Sequence, residues 1–209
     1  MPLFYQQHIN QNTRLAIWEI EETEEFFSAT IPINKNITHP HKKLQHYAGR
    51  YLLRYLFPDF PYEEILIADT KKPYLENEAY HFSISHCGDY AAAIVSKEFH
   101  VGIDIEIPVE KILKIKHKFV SENEDSFVVQ LPLIEQIELS TLIWSAKESL
   151  YKWYGASGID FKTMLLVDLS TCNKLNGKLL SKIKNKEVEK VLLIEYNIFK
   201  ELCLSFIYT

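Results

Sequence analysis

Cysteine is scarce in this chain. Its 209 residues include three, Cys87, Cys172 and Cys203, odd in number and far apart. That pattern argues against a disulfide framework or a zinc framework and points to a reducing compartment. Long apolar runs are missing as well: no stretch approaches the roughly 20 uninterrupted apolar residues of a membrane span. The N-terminal MPLFYQQHINQNTRLAIWEIEE has no basic start followed by an apolar run, so a secretory signal is not expected and a cytoplasmic protein is. Positive charge is in deficit. The formal net charge is −5, which argues against a general nucleic-acid binder. Two local Lys-rich segments stand out, Lys111 to Lys118 and Lys174 to Lys190. Both read first as solvated helix faces, with a local basic surface as the alternative.

What the chain does contain is the composition of a packed globular protein, 47% hydrophobic and 24% charged, at a length suited to one large domain or two of about 100 residues. RLAIWEI (14–20) alternates and is rich in β-formers, so it reads as a strand, and EETEEFF after it starts a short helix. From Lys42 to Phe57 the apolar residues Leu44, Tyr47, Tyr51, Leu52 and Tyr55 recur at helical spacing up to Pro58. Gly49 inside that helix costs about 1 kcal/mol relative to alanine and suggests a close approach. Glu64 to Ala68 reads as a strand and KKPYL (71–75) as a short extended piece. HFSISH (81–86), YAAAIVS (90–96) and HVGIDIEI (100–107) read as a three-stranded antiparallel meander ending at Pro108. In the second half, helices are expected over Val109–Lys118, from a Ser121–Glu124 capping box, and over Glu135–Tyr154, the last stopped by Gly155 and Gly158. MLLVDLS, KVLLIEYN and ELCLSFIYT follow as strands. The fold class is α+β, in two halves, residues 1–108 and 109–209.

Four short patterns carry the chemistry. In GIDIE (102–106) strand periodicity puts Asp104 and Glu106 on one face, with Ile103, Ile105 and Ile107 on the core side. Two carboxylates on one face repel each other unless a cation sits between them, and oxygen ligands of this kind suit Mg²⁺. Judged alone, the pattern also fits a half-exposed edge strand. In WSAKESLYKW (144–153), Glu148 and Lys152 are spaced i, i+4 on one helix face. An exposed ion pair explains that spacing equally well, although the aromatic company of Trp144 and Tyr151 makes an idle pair harder to justify. FSISHC (82–87) places Ser85 and His86 at a strand end. KKP (71–73) offers Lys72 on an extended backbone before Pro73, a reasonable phosphate contact.

Taken in order, Lys72-Pro73, FSISH, GIDIE and WSAKESLYK resemble the 4′-phosphopantetheinyl transferase superfamily, in particular its long single-chain, surfactin-synthetase-activating branch. The resemblance implies a pseudodimer of two similar α+β halves, each a small antiparallel sheet packed with helices, and an active site in the cleft between them. It implies transfer of the 4′-phosphopantetheine group of coenzyme A to a serine of an apo acyl or peptidyl carrier protein, with release of 3′,5′-ADP. Mg²⁺, or Mn²⁺ in its place, is the implied cofactor and coenzyme A the co-substrate. By the same resemblance Asp104, Glu106 and Glu148 surround the metal. Glu148 is the base, Lys152 sits beside the diphosphate, and Lys72, Pro73, Ser85 and His86 contact coenzyme A. Lys42, Lys43 and His46 fall where the family binds the nucleotide 3′-phosphate. A monomer without nucleic-acid or membrane partners is implied.

The chain departs from the family pattern in three places. Lys71 stands where the motif has glycine. Gly155-Ala156-Ser157-Gly158 lacks the usual lysine beside a glycine. Lys118 replaces the arginine of the Arg-Phe-x-x-x-x-Glu pattern. Two other readings stay open at this level: a catalytically degenerate homologue that binds coenzyme A or a carrier, and a metal-dependent phosphodiesterase using the same carboxylates on water.

Overall fold

The chain forms two units, residues 1–101 together with 209, and residues 102–208. The computed structural model describes residues 2–31, 37–173, 175–185 and 188–209. In the first unit, β1 (Leu3–His8), β2 (Thr13–Glu19), β5 (His81–Cys87) and β6 (Tyr90–Ser96) make one antiparallel sheet in the order β1-β2-β6-β5. Strand β6, one of the two inner strands, is buried throughout, and Ala91 and Ala93 are among the small residues that line its core beside α2. Helix α1 (Glu24–Ser28) and helix α2 (Pro40–Leu56) complete the unit, with α2 lying on β2, β5 and β6. Proline in the first turn opens α2, where its missing N–H costs nothing. Leu52, Leu53 and Leu56 then bury against Trp18, Phe82 and Val95. The close approach suggested by Gly49 is real: a Cβ there would stand 2.6 Å from Ile84 Cγ2.

Between α2 and β5, a two-residue ribbon pairs β3 (Leu66–Ile67) with β4 (Pro73–Tyr74). The expected strand over 64–68 is cut to these two residues because Tyr62–Glu64 winds into a 3₁₀ turn. The ribbon's turn holds Lys71 at φ 65°, so the residue replacing the family glycine adopts the left-handed backbone that glycine favours. Lys71→Gly is therefore expected to stabilise the protein by about 0.5–1 kcal/mol, read as a rise in the urea midpoint at unchanged slope.

The second unit carries a five-stranded antiparallel sheet in the order β7-β11-β10-β9-β8, from β7 (Val101–Glu106), β8 (Leu165–Val167), β9 (Asn176–Lys184), β10 (Glu189–Ile198) and β11 (Cys203–Tyr208). Helices α3 (Lys111–Ile115), α4 (Glu122–Val128) and α5 (Leu133–Tyr154) accompany it, and α5 packs on β8, β10 and β11. The Ser121–Glu124 capping box is formed in both directions. Gly155, at φ 74°, closes α5 in the left-handed conformation.

Two further expectations are corrected here. The meander does not extend to its third strand: β5 and β6 form a hairpin, but β7 joins the other sheet beside β11. A short connection permits hairpin pairing without compelling it. His100 instead exchanges backbone bonds with Thr209, N to O at 3.0 Å and 3.1 Å, at the start of the β7–β11 pairing. The Lys-rich run after 174 is not a helix face. Over 176–184 it is β9, where Leu179, Ser181 and Ile183 point inward and Lys178, Leu180, Lys182 and Lys184 alternate with them on the outward face. Lys174 and residues 186–187 lie outside the described residues.

Candidate active site around Asp104, Glu148 and Lys152

The site of the second unit is built where α5 crosses β7. Alternation along β7 does put Asp104 and Glu106 on one face, but that face is covered. Asp104 is 3% exposed, and Ile103 and Ile105 on the other face are fully buried. The cover is α5, and Gly102 is what admits it. A Cβ on Gly102 would fall 2.0 Å from the Ser149 carbonyl oxygen and 2.8 Å from the Trp153 nitrogen, so the helix backbone rests directly on the strand.

At that distance the helix and strand side chains interlock in opposite directions. The Lys152 ammonium donates to Asp104 Oδ1 at 2.7 Å and to the Ile103 carbonyl at 3.1 Å. Two turns back, the Trp144 indole N–H donates to Glu106 Oε1 at 2.9 Å. Trp144, Glu148 and Lys152 are spaced i, i+4, i+8 and share one stripe of α5. Glu148 lies in the middle of it. Burial, the neighbouring carboxylate of Asp104 and that of Glu106 together raise its pKa to about 7, with Lys152 pulling the other way. A carboxyl poised near neutrality beside a fixed ammonium is suited to exchange a proton at physiological pH. On β11, burial and then the charges of Asp104 and Glu106 push the Cys203 thiol upward, so this cysteine stays protonated and unreactive. None of the three cysteines is joined in a disulfide.

Trp144 is held in turn. It stacks on Phe161 with centroids 5.4 Å apart and meets Phe119 edge-on at 5.0 Å. Behind it, Lys147 is fully buried and pairs with Glu124 at 2.7 Å. Neither Lys147 nor Gly102 was legible as a site residue in the sequence. The local pattern at Lys147 offers only its place three residues before Leu150, which packs in the core.

Among the described residues no group of three His, Cys, Asp or Glu side chains is arranged to hold a metal ion. The chemistry of the donors nevertheless fits one. Burial first, and then the charges of Asp104 and Glu106, hold Glu148 toward its neutral form, and a hard divalent cation would relieve the carboxylate part of that repulsion. Mg²⁺ in particular is commonly bound by one or two carboxylates, with waters and substrate phosphates filling the rest of its shell.

In the first unit, Lys72 is partly buried, and that burial pulls its ammonium down from the usual lysine range. Pro73 starts β4. Ser85 is buried and His86 exposed, since successive residues of β5 leave opposite faces of the sheet. On α2, Lys43 pairs with Glu24 at 2.5 Å, and Arg50 donates to His46 Nδ1 at 2.9 Å.

Residues 100–199, which contain the whole of this α5–β7 site, match the 4′-phosphopantetheinyl transferase superfamily, and the likeness read from the motifs is shown for that stretch. Enterobactin synthase component D of Escherichia coli K12 is 33% identical over 114 residues, covering 53% of this chain and 54% of that protein. The 4′-phosphopantetheinyl transferase gsp of Aneurinibacillus migulanus is 32% identical over 108 residues, 51% of this chain and 44% of the relative. The 4′-phosphopantetheinyl transferase psf-1 of Bacillus pumilus is 30% identical over 119 residues, 54% and 50%. The chain thus matches about half the length of these relatives.

Proposed function

We propose that this protein transfers the 4′-phosphopantetheine group of coenzyme A to a serine hydroxyl of an apo acyl or peptidyl carrier protein, releasing 3′,5′-ADP. The observation that carries the reading is a carboxyl near pKa 7, Glu148, one helical turn from the Lys152 ammonium and facing Asp104. The match of residues 100–199 to the superfamily and the likeness to two 4′-phosphopantetheinyl transferases support it. The intact set Asp104, Glu106, Glu148 and Lys152 disfavours a degenerate binding homologue.

In this reading the serine oxygen bonds to the phosphorus that carries the pantetheine arm, and the bond from that phosphorus to the bridging oxygen of 3′,5′-ADP breaks. Glu148 accepts the serine proton, directly or through water. Lys152, anchored by Asp104 and the Ile103 carbonyl, holds positive charge beside the oxygen on which negative charge develops. Asp104, Glu106 and Glu148 would hold Mg²⁺. When bound, that ion supplies neutralisation of the diphosphate and lowers its electrostatic resistance to attack. Lys72, Ser85 and His86 contribute contacts to coenzyme A phosphates, with Lys43 and His46 near the nucleotide end. Lys111, Lys114 and Lys118 are exposed and offer positive charge to an acidic carrier. No helix among the described residues is long and apolar enough to cross a membrane, and a cytoplasmic monomer acting on soluble carriers is the setting we assign.

The test is incubation with coenzyme A, Mg²⁺ and a panel of apo carrier proteins, followed by intact-mass analysis. A gain of about 340 Da on a carrier, the mass of the transferred arm, is the expected result. Free phosphopantetheine with unlabelled carrier would replace the reading with hydrolysis, and binding without any product would leave a non-catalytic homologue. Asp104→Ala is expected to lose turnover and to weaken the dependence on Mg²⁺. Activity in that variant with unaltered metal dependence would remove Asp104 from the metal site.

A further inference from the structure

Lys147 lies about 100° around α5 from the Glu148 stripe, and the mechanism makes no use of it. It is fully buried, and its ammonium donates to three acceptors: the Phe119 carbonyl at 2.6 Å, Glu124 Oε2 at 2.7 Å and the Phe161 carbonyl at 3.0 Å. That exhausts the donors of a lysine. Glu124 is 1% exposed and equally committed. Oε2 also accepts from the Ser121 N–H at 2.8 Å, and Oε1 accepts from the Val167 N–H at 2.8 Å.

Stability alone is a poor reason for this arrangement, because well-packed apolar residues often replace a buried ion pair without loss. An apolar pair could not, however, hold two carbonyls at fixed distances from one atom. Those two carbonyls belong to Phe119 and Phe161, the residues whose rings clasp Trp144 from two sides. Trp144 then carries the constraint to Glu106 through its indole N–H.

We infer that Lys147 is a positioning residue for the carboxylate site: by fixing the backbones of Phe119 and Phe161 it sets the aromatic clasp on Trp144, and so the hydrogen bond that orients Glu106. The geometry stands on its own. Only the kinetic part of the test rests on the transferase reading.

Lys147→Met alone strands the buried Glu124 charge, so the decisive variant is the neutral pair Lys147→Met with Glu124→Gln. Its fold is checked by circular dichroism. The first readout is the Trp144 indole N–H resonance in ¹H–¹⁵N spectra, assigned with Trp144→Phe. We expect it to move upfield or broaden in the paired variant, while the Trp18 and Trp153 indole signals stay in place. Phe161→Leu removes one ring of the clasp, leaves the ion pair intact, and is expected to move the same resonance. A Trp144 signal unmoved in a folded paired variant overturns the inference. So does an unmoved signal in Phe161→Leu, should the paired variant not fold.

The second readout is turnover. The paired variant is expected to lose roughly ten- to a hundredfold in kcat, the usual scale for groups that orient a metal ligand, with KM for coenzyme A within about twofold. Adding Trp144→Phe to the paired variant should cost little more, because both changes break one chain of contacts. Fully additive losses would show that Lys147 does not act through Trp144. If the unaltered protein transfers nothing, the transferase reading fails, and the indole resonance still decides the role of Lys147.

Discussion

Glu148→Gln protein is expected to be more stable than the unaltered protein at pH 8 and to have lost at least a hundredfold in turnover. The stability half follows from linkage. Unfolded Glu148 titrates near its ordinary 4.5 and folded Glu148 near about 7. Between those values the folded state holds a proton that the unfolded state has released, so stability falls as pH rises through this window. The favourable contribution is complete below pH 4.5 and is lost by the time pH passes about 7, and the difference amounts to at most about 3 kcal/mol. Glutamine resembles the protonated acid at every pH and avoids the loss. Thermal melts of the two proteins should therefore converge toward pH 4.5 and separate by several degrees at pH 8. Equal melting points at pH 8 would mean that Glu148 is not held up near pH 7. The activity half rests on the proposed base role, for which losses of 10²- to 10⁴-fold are ordinary. A glutamine variant that turns over normally would end that role. Such a trade, stability given up for a strained and reactive site, is common in enzymes.

The second large effect is expected at a residue with no side chain. Gly102→Ala would place a methyl group 2.0 Å from the Ser149 carbonyl oxygen and 2.8 Å from the Trp153 nitrogen. Both neighbours are helix backbone, which cannot rotate aside, so α5 must lift off β7 as a body. The expected cost is about 3 kcal/mol or more. The 2.7 Å contact of Lys152 with Asp104 and the 2.9 Å contact of Trp144 with Glu106 would lengthen together, and turnover should collapse with them. Urea denaturation and carrier-labelling rates measure the two losses. A Gly102→Ala protein with unchanged midpoint and rate would show that the helix does not rest on the strand at this point.

These two residues also show where sequence reasoning holds and where it stops. The strongest local signals appear as read. The capping box at Ser121–Glu124, the glycine stop at Gly155 and the alternation that groups Asp104 with Glu106 are all present. β1 gives no strand signal because LFYQQH, on a half-exposed edge strand, has no clean alternation. In β9, evenly spread lysines mask the inward set Leu179, Ser181 and Ile183. Strand pairing is not local: β7 follows β6 in sequence yet joins β11, about a hundred residues away, and spacing carries no record of such a partner.

By itself the sequence determined the α+β class, the helices and caps, the grouping of the two strand carboxylates, and the i, i+4 pairing of Glu148 with Lys152. It also determined the superfamily motifs, because their order and spacing are properties of the chain. Only the tertiary structure decided which face of β7 is covered, and with it that Asp104 is buried under α5 rather than half-exposed. Only the tertiary structure raised Glu148 to about 7, gave Gly102 its steric role, and made Lys147 a buried tie. The physical reason is common to all of these. Period and propensity report a residue's neighbours along the chain, whereas desolvation, charge crowding and backbone contact depend on what a distant segment lays over it.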